Sequence, residues 1–488
     1  MDELTRSAAD VNEPTRELAR GAINTPHLVY FVVAAAAPLT ALGTNSPIAI
    51  AFGGPGAAAA FLVIGLVLAL FAAGFTAMSL FIKDAGAFYT YITRGLGRPI
   101  GLGAAFLAVL SYNSIQISLY GAFAVFMQTV LKDFAGIVVP WPMLVLAAIA
   151  TVTALGYRSI TLSANVLGVA LAAECAILAI VAGAVVLNGG GADGLTLAPL
   201  SPSNLLTPGM GAMFAFAFLS FIGFEATAIF SEEAVTPEKT IPRATYIAIA
   251  FLALFYAFVV WAIVVGFGIE GAVTVAKQDP TGMYFLAAAT FVGPWAKALI
   301  EIFMMTSLFA VLLAFHNAVA RYQYSLAREG ILPPVFSQTH PVHRSPWVAS
   351  LSQSLLALLL IVPFWMSGAD PFNDFYVPVT TPGIYGILIL QILTAFAVVA
   401  FFAKDRRGLT RWRTLFAPLL GAAGMIVILY FAIANIGLIT GRTGPINILL
   451  PLLTLIFFAV GVGVAILLKR RHPVRYERFG SGAARSAT

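Results

Sequence analysis

Long apolar stretches recur along the whole chain and alternate with short polar segments. Each stretch holds about 20 apolar residues, the length that an α-helix needs to cross a bilayer. The alternation of apolar and polar residues that marks the strands of a membrane barrel is absent from them. The pattern therefore predicts an all-α integral membrane protein with twelve transmembrane helices, at residues 27–53, 57–82, 100–131, 139–157, 162–187, 209–231, 243–268, 293–320, 346–367, 376–403, 414–439 and 446–469.

The composition agrees with a chain that is solvated by lipid. Of its 488 residues 60% are hydrophobic and 10% are charged, and the mean hydropathy is +0.94. Soluble domains carry a charge on roughly 25% of their residues. A chain with so few charges cannot cover its surface with water-soluble groups, so we expect membrane lipid around it.

The basic residues indicate how the helices are oriented. If both termini lie in the cytoplasm, the opposite face of the membrane keeps only Lys132, Lys277, Lys297 and Arg442. Cytoplasmic loops of membrane proteins carry this excess of positive charge. We therefore expect a multi-pass protein of the cytoplasmic (inner) membrane with both termini cytoplasmic. No basic stripe with interleaved aromatic residues occurs, so the net charge of +6 predicts no nucleic-acid partner.

One polytopic domain fills the chain between two polar tails. We predict a cytoplasmic N-terminal tail at residues 1–26, a twelve-helix domain at 27–470 and a cytoplasmic C-terminal tail at 471–488, which is expected to be basic and disordered over residues 472–488. No phosphate loop, metal-spaced Cys and His cluster or G-x-S-x-G motif occurs. We therefore expect no enzyme activity, cofactor or metal. No ATP-binding machinery is encoded either, so a proton or sodium gradient, or exchange, would have to drive any transport. The oligomeric state is not indicated.

Two of the predicted helices are interrupted by residues that disfavour a regular helix. The first reads AAAAPLTALGTNSPIAIAFGG, in which Pro38 and Pro47 enclose Gly43 and Asn45. Proline lacks the backbone donor and clashes with the preceding turn, whereas glycine allows non-helical dihedral angles. The sixth reads FAFLSFIGFEATAIF, with Gly223 at its centre. Because the two helices are five apart, they run in opposite directions through the bilayer.

Paired interruptions in two antiparallel halves are typical of transporters with inverted repeats and a binding site at the middle of the membrane. A broken helix exposes N–H groups at one end, which attract an anion, and C=O groups at the other, which attract a cation. A zwitterion with a carboxylate and an ammonium group satisfies both. The alternative is that proline and glycine only kink two packed helices.

Several stretches together resemble the amino acid–polyamine–organocation (APC) permeases, which share the LeuT-type fold. They are KDAGAFYTYITRGLGRPIG at 83–101, SFIGFEA and SEEAVTPEKTIPRA within 220–244, and FHNAVARYQYSLAREGILP at 315–333. The resemblance covers roughly residues 27–470. It implies a 5+5 inverted repeat with broken helices 1 and 6, in which repeat one spans about 27–187 and repeat two about 209–403. Two C-terminal helices follow at about 414–469.

The resemblance also implies roles for individual positions. The unwound part of helix 1 would offer backbone N–H groups to a substrate carboxylate, at Thr40, Ala41, Leu42 and Gly43. The unwound part of helix 6 would offer carbonyl groups to the substrate amine, near Phe218, Ser220, Phe221, Ile222 and Gly223. Some members have a gating aromatic residue where this chain has Leu219, and Phe218 or Phe221 could take that place.

Three glutamates lie within predicted helices, where a charged side chain is costly. Glu225 follows the interruption of helix 6, and the resemblance implies that it senses protons or couples the gates. Glu174 lies where proton-coupled relatives often have a lysine, and our hypothesis is that its buried carboxyl group exchanges a proton. Hydrogen bonding to a neighbouring helix is the alternative for both. Glu301 lies four residues after Lys297, and we expect the two to pair on one helix face.

Polar residues of two further helices are candidates. Thr306 and Ser307 lie where sodium-coupled LeuT-type transporters hold the ion with adjacent hydroxyl groups. Hydrogen bonding of these hydroxyls to their own helix is the alternative. Helix 3 contains SYNSIQISLYG, whose polar residues include Asn113 and Gln116. We expect this polar face to line the pathway, with helix-to-helix hydrogen bonds as the alternative.

These features predict a secondary active transporter that imports an amino acid or a related amine by alternating access, with protons favoured as the coupling ion. A sodium-coupled permease remains an alternative. So does a carrier or exchanger of polyamines or other cationic amines, because three intramembrane acids and no deep basic residue tolerate a cation. The distant alternative is a membrane sensor that binds a solute without transporting it.

Overall fold

The computed structural model describes residues 24–82, 87–158, 164–225, 227, 235–343 and 345–480, and the regular elements in these ranges are helical. The first predicted span consists of two helices, α1 (Thr25–Ala36) and α2 (Pro38–Gly53). The rest of the first half contains α3 (Ala57–Ser79), α4 (Ala87–Leu96), α5 (Arg98–Ala135), α6 (Trp141–Tyr157) and α7 (Ala164–Leu187).

The second half begins with the short helix α8 (Met210–Leu219). It continues with α9 (Pro237–Phe267), α10 (Ile269–Gln278), α11 (Met283–Phe291), α12 (Pro294–Arg328), α13 (Trp347–Met366) and α14 (Val377–Ala403). The C-terminal part holds α15 (Ala417–Ala434), α16 (Ile436–Thr440), α17 (Ile446–Arg471) and α18 (Pro473–Arg478). A π-helical turn, Pro371–Tyr376, leads directly into α14.

The lengths of these helices suit a bilayer. Among the described residues, nine helical stretches have at least 18 residues and are apolar enough to cross a membrane. The apolar helices α1, α6 and α8 are shorter. Two of them are short because they end at the interruptions described below. The all-α membrane prediction is confirmed, whereas the count of twelve crossings, the inverted repeat and the domain boundaries stay predictions.

The helices that carry the interruptions lie in the interior of the bundle. α2 packs against α8, and α3 packs against α9. Small residues allow this close approach, as at Gly65 of α3, which faces Ala253 of α9. α5 contacts α12, α14 and α17, and its middle from Ser111 to Ala124 is buried. Each of the pairs α2–α8 and α3–α9 joins a helix of the first predicted repeat to its counterpart in the second.

The C-terminal tail is ordered at its start. Residues 473–478 form α18, and the side chains of Tyr476 and Phe479 are 9% and 1% exposed. The expectation that the tail is disordered from residue 472 is wrong for this part, because its aromatic side chains are buried against the helices. Residues 1–23 and 481–488 of the predicted tails lie outside the described residues.

Candidate functional site

The first interruption lies at Ala37, between α1 and α2. The residue before a proline is disfavoured in the helical conformation, whereas proline suits the first turn of a helix, where no N–H is needed. Accordingly α1 ends at Ala36, Ala37 is left-handed (φ 42°, ψ 75°), and α2 begins at Pro38. A non-glycine residue in this conformation costs roughly 1–2 kcal/mol. The surrounding packing must offset that cost.

Helix α2 is continuous through the residues that the resemblance placed in an unwound stretch, namely Thr40, Ala41, Leu42 and Gly43. Pro47 lies inside α2 as well. Pro47 has no N–H to donate to the Gly43 carbonyl, a loss that membrane helices tolerate. Two hydroxyls of α2 bond back to their own helix: Thr44 Oγ1 donates to the Thr40 carbonyl and Ser46 Oγ to the Leu42 carbonyl, both at 2.7 Å. The expected unwinding at residues 40–43 is therefore wrong, and the break lies three residues earlier.

This shift changes which backbone N–H groups can meet a solute. The Ala41 N–H already donates to the Ala37 carbonyl at 2.8 Å, as the first bond of the helix. Pro38 has no N–H, so the first-turn donors of α2 are those of Leu39 and Thr40. Of the four positions that the resemblance implied, Thr40 alone has its backbone N–H in the first turn of α2, before the first hydrogen bond of the helix, which the Ala41 N–H makes.

The second interruption lies at Gly223, where the sequence predicts it. α8 ends at Leu219, and residues 220–223 form a turn. Gly223 has a φ of 118°, which residues with a side chain rarely adopt. The Phe218 carbonyl accepts from the Phe221 N–H at 3.0 Å, so the turn itself uses this group. No hydrogen bond among the described residues uses the Ser220 carbonyl.

The two interruptions lie against each other. A Cβ atom placed on Gly223 would be 3.0 Å from the Ala35 carbonyl carbon and 3.1 Å from the Ala36 nitrogen. Asn45 of α2 adds a side-chain tie, because its Nδ2 donates to Ser220 Oγ at 3.2 Å. Its Oδ1 accepts from the Tyr376 hydroxyl at 2.6 Å. One amide thus joins α2, the turn after α8 and the π-helical turn before α14.

Glu174 of α7 reaches the N-terminus of α2. Its Oε2 accepts from the Ser307 hydroxyl of α12 at 3.0 Å, and Ser307 in turn accepts from the Thr40 hydroxyl at 2.9 Å. The backbone amide of Leu39 also interacts with this carboxyl group. Glu174 is 5% exposed. Residues of α2, α7 and α12 therefore meet at one buried acid. A helix N-terminus attracts negative charge, so the start of α2 is a favourable place for a carboxylate.

Thr306 is not part of this cluster. Its side chain is exposed, and its hydroxyl donates to the Phe303 carbonyl of its own helix at 3.0 Å. Successive residues of an α-helix point about 100° apart, so the Thr306 side chain leaves the face that Ser307 occupies. The expected pair of adjacent hydroxyl ligands is therefore not formed. Glu174 and Thr40 supply the oxygen atoms nearest to the Ser307 hydroxyl instead.

Glu225 fastens the second interruption from within its own segment. Its Oε2 accepts from the Gly223 N–H at 2.9 Å, and its Oε1 accepts from the Tyr112 hydroxyl of α5 at 3.0 Å. Glu225 is 3% exposed. The Tyr112 ring adjoins Tyr322 and Phe315 of α12 at centroid distances of 5.6 and 5.9 Å. The carboxyl group therefore connects the broken end after α8 with α5 and, through aromatic rings, with α12.

The profile of the amino acid permease family matches residues 24–462 of this chain. The chain belongs to the amino acid permease family. This permease is 26% identical over 353 residues to the low-affinity putrescine importer PlaP of Escherichia coli, covering 70% of this chain and 73% of that protein. It is 26% identical over 349 residues to the gamma-aminobutyric acid permease of Escherichia coli, covering 68% and 71%. The branched-chain amino acid permease BcaP of Bacillus subtilis is 27% identical over 155 residues, which cover 31% of this chain and 32% of BcaP.

The family membership confirms several predictions made from the sequence. The resemblance to amino acid–polyamine–organocation permeases is correct, and the protein is a multi-pass membrane transporter rather than an enzyme. The relatives carry amino acids or amines, according to their names. Those names differ in the solute.

The polar face of α5 divides between two roles in the permease. Gln116 Oε1 accepts from Gln353 Nε2 of α13 at 2.8 Å, which is the helix-to-helix bonding given above as the alternative. Asn113 Nδ2 donates to the Val109 carbonyl of its own helix at 2.7 Å. The buried Oδ1 of Asn113 has no hydrogen-bond partner in the part of the chain that the structure describes. Asn113 therefore offers an acceptor that a bound amine would satisfy.

The pair of Lys297 and Glu301 is present and has a third member. Lys297 Nζ lies 3.5 Å from Glu301 Oε1 and 2.6 Å from Asp133 Oδ2. Asp133 belongs to the last turn of α5, and no local pattern links it to α12. Asn45 and Tyr376 were likewise missed as site residues, because their contact joins positions 331 residues apart.

Proposed function

We propose that this permease is a secondary active transporter that imports an amino acid or a related amine by alternating access. The contact between the two interruptions, at Ala37 and Gly223, carries the proposal. Irregular backbone at membrane depth is stable where it is buried in protein or lines a cavity. In transporters with repeats, such breaks surround the substrate site near the midplane. The packing of α2 on α8 and of α3 on α9 supports paired repeats.

In this proposal the solute binds beside the two breaks. Asn113 Oδ1 and the Ser220 carbonyl are acceptors for its amine, since neither has a partner among the described residues. The Thr40 N–H, in the first turn of α2, is the donor for a carboxylate. A buried polar group without a partner costs roughly 1–3 kcal/mol, so solute binding recovers part of this free energy at Asn113.

Protons are the proposed coupling ion, and Glu174 is the proposed site. A proton on this carboxyl group removes the negative charge that faces the N-terminus of α2. Because the same group accepts from Ser307 of α12, protonation changes the interactions of two helices at once. Sodium is the alternative ion, because a carboxylate and a hydroxyl are hard oxygen ligands that suit it. Glu225 is proposed to couple the second break to α5 through Tyr112.

A second candidate solute is a cationic amine that lacks a carboxylate, such as a polyamine. Glu174 already faces the first turn of α2, through the Leu39 amide. A solute carboxylate bound beside it would experience like-charge repulsion whenever Glu174 is ionised. A diamine would not. The similarity to a putrescine importer adds support to this candidate.

Reconstitution into liposomes tests the proposal. Counterflow of radiolabelled putrescine, gamma-aminobutyric acid and leucine would identify the solute class. An inwardly directed proton gradient should then accelerate uptake, whereas an imposed sodium gradient should not. Glu174→Gln keeps the acceptor for Ser307 but cannot ionise, so this variant should retain counterflow and lose its response to the proton gradient. Cys175→Ser, at the neighbouring position of α7, is the matched control.

The outcomes separate the alternatives. Absence of counterflow for every amine and amino acid would contradict a transporter of this solute class. If a sodium gradient alone accelerated uptake, sodium would be the coupling ion. If uptake responded to neither gradient while counterflow persisted, the permease would be an exchanger. The proposed location, an inner membrane with both termini cytoplasmic, is tested separately by the accessibility of tags at the two termini from the cytoplasmic side.

A further inference from the structure

The C-terminal strap, which we define as residues 473–480, is docked on one end of the helix bundle. It begins directly after α17, at a turn around His472. Arg98, the first residue of α5, pairs with the Glu477 carboxylate at 3.0 Å. The same guanidinium donates to the backbone carbonyls of Glu477 and Phe479 at 2.7 and 3.3 Å. It also lies over the Tyr476 ring, 5.5 Å from the centroid. A single side chain thus contacts three residues of the strap, Tyr476, Glu477 and Phe479.

Phe479 lies at the end of a row of aromatic rings that leads to Glu225. The Phe479 ring stacks on Tyr89 of α4 with centroids 5.9 Å apart. Tyr89 contacts Tyr322 of α12 at 6.1 Å, and Tyr322 contacts Tyr112 of α5 at 5.6 Å. The Tyr112 hydroxyl donates to Glu225. The strap is therefore in continuous side-chain contact with the carboxyl group that fastens the second interruption.

The strap also touches the C-terminal end of α12 and the middle of α4. Arg475 Cδ lies 3.4 Å from the position of a Cβ on Gly330, two residues after α12 ends. A Cβ on Gly480 would lie 3.2 Å from Thr93 Cβ of α4. Together with Arg98, these contacts place the strap across α4, α5 and α12, the three helices that supply the aromatic row.

We propose that the strap is a clamp that holds this end of the permease closed and that its release speeds opening toward Glu225. The strap contacts α4 at Tyr89, α5 at Arg98 and the segment after α12 at Gly330, so a movement of α12 away from α4 and α5 at this end would have to break some of these contacts. The strap is joined to α5 by the Arg98 guanidinium and to α4 by the stacking of Phe479 on Tyr89. Such a set can dissociate without unfolding a transmembrane helix. The inference rests on the proposed alternating access for its role in transport.

The first test does not need transport. Hydrogen–deuterium exchange of the full chain in detergent would follow peptides that contain residues 219–225 and 319–330. Phe479→Ala should raise exchange in both peptides by about threefold or more, because the clamped state is less populated. Deletion of residues 473–488 should do the same. The control is Val474→Ala, which changes a side chain of the strap that is 65% exposed and should leave exchange unchanged. Unchanged exchange in Phe479→Ala and in the deletion would overturn the clamp.

The second test measures initial counterflow rates in liposomes. Phe479→Ala and the deletion should raise the rate by about twofold or more, with the solute concentration for half-maximal rate little changed. A lower rate in folded protein would show that the strap supports the transporting structure, which also overturns the clamp. Raised exchange in a protein that shows no counterflow, including the wild type, would leave the clamp standing and count against the proposed function alone.

Discussion

The two helix interruptions place a buried carboxyl group beside irregular backbone, but they are built in opposite ways. At Gly223 the conformation (φ 118°) needs glycine, and the acid comes from two residues further along the same segment. At Ala37 a left-handed alanine precedes Pro38, and the acid is Glu174, which arrives from α7. The break at Gly223 is determined by a few neighbouring residues. The break at Ala37 depends on side chains from three helices.

This difference suggests separate duties for the two acids. Glu225 accepts from the Gly223 N–H and from Tyr112, so it holds its own break to α5. Glu174 accepts from Ser307 and faces the first turn of α2, so a change of its charge acts on contacts between helices that are far apart in sequence. A group that fastens local structure suits a gate. A group that bridges separate helices suits an ion site whose occupancy must alter their packing.

The largest effect is expected from Gly223→Ala. Holding a residue with a side chain at this φ costs about 1–3 kcal/mol, and the new Cβ would press on Ala35 and Ala36. Because 1.4 kcal/mol is a factor of ten, we expect uptake to fall by roughly tenfold to hundredfold. The control is Gly183→Ala in α7, where a Cβ meets no atom within 4 Å. Normal uptake by Gly223→Ala would show that the break does not need its observed conformation.

Glu225→Gln should have the next largest effect. In glutamine an NH2 group, which is a donor, replaces one of the two carboxylate oxygens, so either the Gly223 N–H or the Tyr112 hydroxyl loses the acceptor that the carboxylate gives it. Hydrogen bonds to a charged group contribute about 1.5–3 kcal/mol, so uptake should fall by at least about tenfold. Its response to the proton gradient should persist, in contrast to Glu174→Gln. Glu238→Gln, an exposed acid in the first turn of α9, is the control. If Glu225→Gln lost the response to the proton gradient and Glu174→Gln kept it, then Glu225 would be the proton-coupling residue and Glu174 would not.

The comparison of the two breaks also shows how far sequence reasoning reaches. The break at Gly223 was located correctly because a glycine inside an apolar run followed by a glutamate is a local signal. For the first break the sequence indicates only the stretch between Pro38 and Pro47, and the resemblance places the unwound residues at 40–43, whereas the break lies at Ala37. Pro47, Gly43 and Asn45 are as prominent in the sequence as Pro38. The structure shows that α2 continues through Gly43, Asn45 and Pro47. Sequence alone does not indicate which of several helix-breaking residues ends a helix.

The contacts of the site were harder to predict than its position. Apolar periodicity placed the helices because lipid imposes the same length and polarity on each of them. The partners of Glu174, Asn45 and Tyr112 lie 133, 175 and 113 residues away in the chain. No short-range pattern fixes such pairs. Thr306 illustrates the same limit, since one residue of offset on α12 separates an exposed hydroxyl from a buried one.

The neighbouring pair Thr306 and Ser307 gives a smaller and well-controlled test of the first break. Ser307→Ala removes the donor to Glu174 and the acceptor for the Thr40 hydroxyl. A neutral hydrogen bond contributes about 0.5–1.5 kcal/mol, so the response of uptake to the proton gradient should weaken by about threefold to tenfold. Thr306→Ala removes a hydroxyl bonded to its own helix and should behave as the wild type. Equal effects of the two substitutions would argue against an ion site at Glu174.

The smallest effect is expected from Ala37→Gly, which probes how much strain the first break stores. The left-handed conformation costs alanine roughly 1–2 kcal/mol, whereas it costs glycine almost no free energy. Glycine loses more conformational freedom on folding, by roughly 0.5–1 kcal/mol, so most of the gain is cancelled. The Tm in detergent should therefore rise by only about 1–2 °C. Ala41→Gly, inside α2, should lower it, because glycine there has no strain to relieve. If the Tm fell by the same amount in both variants, Ala37 would not be strained in its left-handed conformation. The first break would then store no strain.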